Sequence, residues 1–123
     1  MKNPNDSFLK GRLRSLKFAL RGAFLLITTE HSIMVQFSIA VLITIFGFVM
    51  QISATEWMFQ LLAIGMVLVA ESLNTGIEKL SDFVHPDYHK RIGFIKDISA
   101  GAATFAAIIA VIIGLIIYIP KFS

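Results

Sequence analysis

Residues 57–80 read WMFQLLAIGMVLVAESLNTGIEKL, an apolar run that ends in a polar segment. About 20 such residues are enough to cross the hydrocarbon core of a bilayer. Two more apolar runs of this length flank it, at 33–52 and 98–119. The run at 98–119 stops before Pro120. Only 15% of the chain is charged, against about 25% in a soluble domain. The sequence therefore predicts an all-α integral membrane protein with three transmembrane helices, in one membrane-embedded domain over residues 1–123.

The segment before the first span, residues 7–29, predicts an amphipathic helix on the membrane surface. Its apolar residues recur at helical spacing and are Phe8, Leu9, Leu13, Leu16, Ala19, Leu20 and Ala23. Its basic residues fall largely on the other side and are Lys10, Arg14, Lys17 and Arg21. A basic face opposite an apolar one suits a helix lying among lipid headgroups.

Basic residues predict the orientation, because cytosolic segments carry the excess of Lys and Arg. Six of the eleven precede residue 22, none lies in the loop 53–56, and four lie in the connection 79–96. We expect the amino terminus and the second loop in the cytosol and the carboxyl terminus outside. A membrane surface explains these charges better than nucleic acid does, so no nucleic-acid partner is predicted. The chain has no cysteine, which excludes disulfides and thiolate sites.

Polar residues gather at one depth near the cytosolic side. Glu71 and Glu78 share one face of the second helix, and Glu71 lies roughly 21 Å along that helix from Trp57. Carboxylates in a membrane usually mark function. The predicted layer consists of Glu30, Glu71, Asn74, Glu78, Lys96 and Asp97. Such a layer is reachable by a soluble anion and by a lipid headgroup together.

Paired carboxylates beside a lysine suit a magnesium nucleotide, since Mg²⁺ takes one or two protein carboxylates and completes its shell with phosphates and water. A further carboxylate near hydrocarbon can serve as general base for a lipid hydroxyl. The chain has no P-loop and no kinase-type glycine loop, so a nucleotide site would be unconventional. Spacing alone leaves a lipid kinase, a small proton-coupled transporter and a structural subunit open.

Each of these residues also has a purely structural interpretation. In that interpretation Glu71 and Glu78 fix helix register by an intramembrane contact, and Lys96 is one more cytosolic basic residue. Asp97 at the start of the third span suits a helix N-cap. The small residues at 98–103 predict close helix packing.

The stretch Glu71–Asp82 resembles the E-x-x-N-(S/T)-x-x-E-x-x-x-D hallmark of the prokaryotic diacylglycerol kinase and undecaprenol kinase family. Tyr88-His89, the run KDISAGA at 96–102, and Glu30 ahead of the first span also match. The resemblance extends from about residue 14 to residue 120.

That resemblance implies a homotrimer with active sites shared between subunits, in the bacterial cytoplasmic (inner) membrane. It implies ATP as co-substrate and Mg²⁺ as cofactor. By position, Glu71 would be the general base, Glu30 and Glu78 would hold Mg²⁺, and Asn74 would position Glu71 or the lipid. The residues implied to contact the nucleotide are Phe18, Glu30, Glu78, Asp87, Tyr88, His89, Lys96 and Asp97. Arg14 and Phe18 match positions near the lipid and the nucleotide.

Departures from the family pattern bear on the lipid. The residues after Glu30 lack a further glutamate found in diacylglycerol-specific members, Gly76 replaces a more usual alanine, and Phe18 replaces a tyrosine of some members. The ending LIIYIP at 115–120 resembles the undecaprenol kinase branch. The sequence therefore favours phosphorylation of undecaprenol to undecaprenyl phosphate, with conversion of diacylglycerol to phosphatidic acid as the alternative.

Overall fold

The computed structural model describes residues 4, 5 and 7–123, so residues 1–3 and 6 of the predicted domain lie outside the described part. Four α-helices follow in order: α1 Phe8–Thr29, α2 His31–Val49, α3 Ala54–Val84 and α4 Lys90–Phe122. The last three are long and apolar enough to cross a membrane. This confirms the prediction of an all-α chain with three candidate spans.

A single residue, Glu30, separates α1 from α2. Its backbone is extended, with φ −103° and ψ 115°. Its N–H donates to the Leu26 carbonyl at 3.3 Å, and its own carbonyl accepts from Met34 at 2.9 Å. Because one residue ends the first helix and begins the second, the Glu30 carboxyl group is held at the junction of the two.

A tight turn joins α2 to α3. Gln51 adopts a left-handed conformation, with φ 53°, and the Ile52 N–H donates to the Gly47 carbonyl at 3.2 Å, which ends the helix as C-terminal left-handed residues do. A capping box then starts α3, in which the Ser53 hydroxyl accepts from the Glu56 N–H and the Glu56 carboxylate accepts from the Ser53 N–H. The helix therefore begins about one turn before the predicted start at residue 57.

The fourth helix is longer than the predicted span in both directions. It begins at Lys90, and the His89 ring nitrogen Nδ1 accepts from the Arg91 N–H at 3.1 Å as its N-cap. The interpretation of Asp97 as an N-cap is therefore wrong, because Asp97 lies two turns inside the helix. The predicted stop before Pro120 is also wrong. Pro120 gives up the one hydrogen bond that its own N–H would donate, and α4 nevertheless continues to Phe122.

Small residues form the contact between α3 and α4, which is the most extensive in the chain. The buried ones include Thr75 and Ser81 on α3, and Ser99 and Ala103 on α4. Small side chains let helix backbones approach closely in membranes, as the run at 98–103 predicts. The contacts of α2 with α3 and with α1 are much smaller, and no residue of α1 is buried.

Candidate active site

Glu71 and Asn74 line a cleft of about 500 Å³ between α3 and α4. The wall opposite them is mostly small and apolar and includes Ala100, Ala103, Thr104, Ala107 and Ile108. Glu71 is half-buried there. The close packing of small α4 residues thus leaves room beside a carboxylate that faces an otherwise apolar wall.

Asn74 connects the cleft to Glu78. Its side-chain Nδ2 donates to Oε1 of Glu78 at 3.3 Å, one helical turn further along α3. Its Oδ1 is buried and accepts no hydrogen bond from the described residues. Buried polar atoms are nearly always paired in proteins, so this oxygen is an acceptor available to a bound molecule.

The carboxylate of Glu71 makes no hydrogen bond or ion pair within the part of the chain that the structure describes. Its backbone carbonyl, in contrast, accepts from the Thr75 hydroxyl at 2.9 Å, which satisfies that buried hydroxyl inside the helix. The Glu71 carboxylate therefore remains able to accept a proton from a hydroxyl in the cleft.

An ion pair joins Glu30 to the carboxyl-terminal part of α3. The Lys79 ammonium nitrogen lies 2.9 Å from Oε1 of Glu30, and Lys79 directly follows Glu78. Among the described residues, no three His, Asp or Glu side chains come together as a metal-binding cluster. A magnesium ion that keeps substrate phosphates and waters needs only one or two protein carboxylates. The oxygen donors of Glu30 and Glu78 therefore fit Mg²⁺ chemically.

Lys96 and Asp97 lie in the amino-terminal part of α4. The Lys96 ammonium nitrogen is 2.5 Å from Oδ1 of Asp82, in the last turn of α3. Asp97 is exposed. The ion pair links the two helices at the same end of the chain as Glu30 and Lys79.

The loop from His85 to His89 carries the three predicted nucleotide contacts of the α3–α4 connection. Asp87, Tyr88 and His89 are all exposed, and the Tyr88 side chain is 89% accessible. The loop is held by its histidines, since Nδ1 of His85 donates to the Asp87 carbonyl at 2.7 Å and the two imidazole rings lie 5.2 Å apart.

Arg14 and Phe18 are placed on α1, where Arg14 is half-buried and Phe18 exposed. The main contact of α1 is with α2, whereas the Glu71 cleft lies between α3 and α4. Within one chain, the predicted site residues therefore form three groups. One lines the cleft, one lies where α3 ends and α4 begins with the loop between them, and one lies on α1.

Sequence reasoning missed the ion-pair partners Lys79 and Asp82. Lys79 counts in the sequence only as a basic residue of the second loop, and Asp82 only as part of the motif. A usable signal was present, because each lies near its partner's end of a predicted span and carries the opposite charge.

The described helices thus provide three candidate membrane spans, with a cleft at Glu71 between the last two. Residues 17–118 match the family model described as prokaryotic diacylglycerol kinase. The chain is also 36% identical over 108 residues to the undecaprenol kinase of Bacillus subtilis (strain 168), a match covering 88% of each chain.

The chain belongs to the prokaryotic diacylglycerol kinase family, and it is a membrane-embedded lipid kinase. This confirms the resemblance drawn from the motif and favours the kinase over the transporter and the structural subunit. A nucleotide co-substrate and a lipid acceptor follow from the family.

Proposed function

We propose that this kinase transfers the γ-phosphoryl group of ATP to undecaprenol at the cytosolic face of the bacterial inner membrane. The observation that carries the proposal is the Glu71 carboxylate in an otherwise largely apolar cleft, beside the unpaired Asn74 oxygen. The similarity to an enzyme named undecaprenol kinase supports the choice of lipid.

Glu71 is the general base in this mechanism. Its carboxylate takes the proton from the lipid hydroxyl while the hydroxyl oxygen attacks the γ-phosphorus. The bond from that phosphorus to the β,γ-bridging oxygen breaks, and ADP leaves with the bond's electron pair. Asn74 positions the reacting groups, because its Oδ1 can accept a hydrogen bond in the cleft while its Nδ2 holds Glu78. Phosphoryl transfer needs mainly such positioning and charge neutralisation.

Glu30 and Glu78 are the proposed ligands of Mg²⁺, which when bound neutralises charge on the ATP phosphates. Lys96 adds positive charge at the same end of the chain. The exposed residues Asp87, Tyr88 and His89, with Asp97, form the remaining cytosolic wall of the nucleotide site in this proposal.

A homotrimer with shared sites accounts for the separation of Arg14 and Phe18 from the Glu71 cleft. In this arrangement, α1 is an amphipathic helix on the cytosolic membrane surface, and it brings these two residues to a neighbouring subunit's site. Its complete lack of buried residues in one chain supports such a placement.

The decisive experiment compares Glu71→Gln with Glu56→Gln in purified protein in bilayer nanodiscs. Both residues lie on α3, but Glu56 belongs to the capping box at the opposite end. With ATP, Mg²⁺ and undecaprenol, we expect Glu71→Gln to lower turnover at least about 100-fold, as loss of a general base does. The Glu56 variant should stay active.

Full activity of Glu71→Gln would reject the base assignment. Diacylglycerol, the acceptor in the family's description, is assayed in parallel. A higher kcat/KM for diacylglycerol than for undecaprenol would replace the proposed lipid and leave the kinase mechanism in place.

A further inference from the structure

Three carboxylates act on the ammonium group of Lys79, in the carboxyl-terminal part of α3. Its nitrogen lies 2.9 Å from Oε1 of Glu30, and Asp82 and Glu78 attract the same group more weakly. Asp82 in turn lies 2.5 Å from the Lys96 ammonium nitrogen. Acidic and basic side chains therefore alternate from Glu30 through α3 to Lys96 of α4.

The Lys79 side chain is able to leave Glu30. Its side chain is 65% exposed, whereas that of Glu30 is 22% exposed. Ion pairs of exposed side chains contribute little to stability, and the flexible four-carbon stem of a lysine lets the ammonium group take several positions. The Glu30 backbone, in contrast, is fixed by hydrogen bonds to both neighbouring helices. Lys79 is therefore the partner that moves when the pair separates.

Glu30 is also a proposed ligand of Mg²⁺, together with Glu78. An ammonium group and a metal ion at the same carboxylate repel each other, and this repulsion grows as the distance between them falls. The phosphates that Mg²⁺ binds lie about 2.1 Å from the ion, so they bring negative charge close to the displaced ammonium group. Lysine binds phosphate well, as a compact point charge.

We propose that Lys79 binds the phosphates of ATP, and that it exchanges its ion pair with Glu30 for them when the magnesium nucleotide binds. This proposal rests on the proposed function through the nucleotide site. Lys79 thereby adds a second positive charge to that of Lys96, and phosphoryl transfer depends largely on such charge neutralisation. When the nucleotide leaves, Lys79 returns to Glu30 and compensates the charge of the carboxylate.

Lys79→Met and Lys121→Met form a matched pair of variants. Each removes an ammonium group, keeps an unbranched apolar side chain and breaks a lysine–glutamate ion pair, which for Lys121 joins Glu56 at 3.2 Å. Glu56 lies in the first turn of α3, about 33 Å along that helix from Glu78. Lys79→Arg is the conservative variant, because it keeps the positive charge.

Two affinities are measured in purified protein in phosphatidylcholine nanodiscs, without a lipid alcohol and therefore without turnover. Mn²⁺, which binds the same kinds of oxygen ligand as Mg²⁺, is titrated without nucleotide, and the free ion is measured by electron paramagnetic resonance. The magnesium complex of the β,γ-imido analogue of ATP is titrated by calorimetry.

We expect Lys79→Met to change the two affinities in opposite directions. Mn²⁺ should bind about two- to fivefold more tightly, because the loss of an exposed ion pair removes a weak competitor. The nucleotide should bind about tenfold more weakly, because a hydrogen bond between charged groups is lost. Lys121→Met should match wild type in both titrations, and Lys79→Arg should bind the nucleotide nearly as wild type does.

The outcomes separate Lys79 from the kinase itself. Weaker binding of both ligands by Lys79→Met would mean that the residue only holds Glu30 in place, and unchanged nucleotide affinity would mean that it is only a counter-ion; either result rejects the proposal. An unchanged affinity for Mn²⁺ would reject the exchange. Wild type that binds no nucleotide would reject the proposed function as well. Wild type that binds nucleotide but phosphorylates no lipid alcohol would reject the proposed function alone.

Discussion

The ammonium nitrogen of Lys79 lies 2.9 Å from Oε1 of Glu30 and thereby joins the α1–α2 junction to the carboxyl-terminal part of α3. The Lys79 side chain is largely exposed, and exposed ion pairs contribute little to stability. The ion pair instead fixes the position of Glu30, because it holds Glu30 beside the part of α3 that carries Glu78.

Glu30→Gln should raise the Mg²⁺ concentration needed for half-maximal activity. The substitution removes a charged oxygen donor, and even the loss of outer-shell partners costs metal sites about 10–100-fold in affinity. We therefore expect a shift of about tenfold or more, measured by titrating Mg²⁺ at fixed ATP. Lys79→Met is the control, because it breaks the same ion pair and keeps the carboxylate. An equal shift in both variants would mean that the ion pair, and not metal ligation, is responsible.

Asn74→Leu should lower kcat while the protein stays folded. The variant loses both the donor to Glu78 and the unpaired acceptor in the cleft, so the reacting groups are no longer held in place. We expect a fall of about 10–100-fold, with an unchanged circular dichroism spectrum. Asn74→Asp should be no better, because a third carboxylate beside Glu71 and Glu78 adds like-charge repulsion. Wild-type turnover in Asn74→Leu would show that the amide has no part in positioning.

Gly47→Ala should destabilise the contact between α2 and α3. A Cβ at this buried position would lie 2.8 Å from Cη2 of Trp57 and 3.2 Å from Nε2 of Gln60. Overpacking of this kind costs about 1–3 kcal/mol, to be measured as a lower thermal unfolding midpoint in detergent. Gly65→Ala, where the new Cβ meets open space, should be neutral or slightly stabilising. Trp57→Phe added to Gly47→Ala should recover part of the loss, and a lack of any recovery would contradict the clash with the indole.

The orientation is testable with single cysteines, because the chain contains none. Ser123→Cys should react with a membrane-impermeant maleimide on intact cells, whereas Pro86→Cys should react only after permeabilisation. The expected pattern follows from the basic residues of the amino-terminal segment and the second loop. The reverse pattern would place the Glu71 layer on the side without ATP and end the kinase mechanism proposed here.

Part of the site followed from topology alone. Antiparallel spans bring Glu30, Glu78 and Lys96 to one side of the membrane whatever the details of packing. Which of these side chains touch is a different matter. Lys96 pairs with Asp82 and Glu30 pairs with Lys79, and both choices depend on the rotation of α3 against its neighbours, which hydropathy does not encode.

The helix ends show the same division. Apolar runs located the three spans because burial in hydrocarbon depends on composition and length. The apolar runs did not give the ends of α4 correctly. The charged residues from Lys90 onward are helical although they are not apolar, and the helix continues past Pro120.

The sequence by itself determined an all-helical membrane protein of three candidate spans and, through one motif, a lipid kinase family. The spacing of polar residues along an apolar helix is visible in the sequence itself, so it can be recognised without coordinates. Only the tertiary structure revealed the cleft at Glu71 and the unpaired oxygen of Asn74. The cleft is a space between residues far apart in the chain, and it arises from how closely α3 and α4 pack.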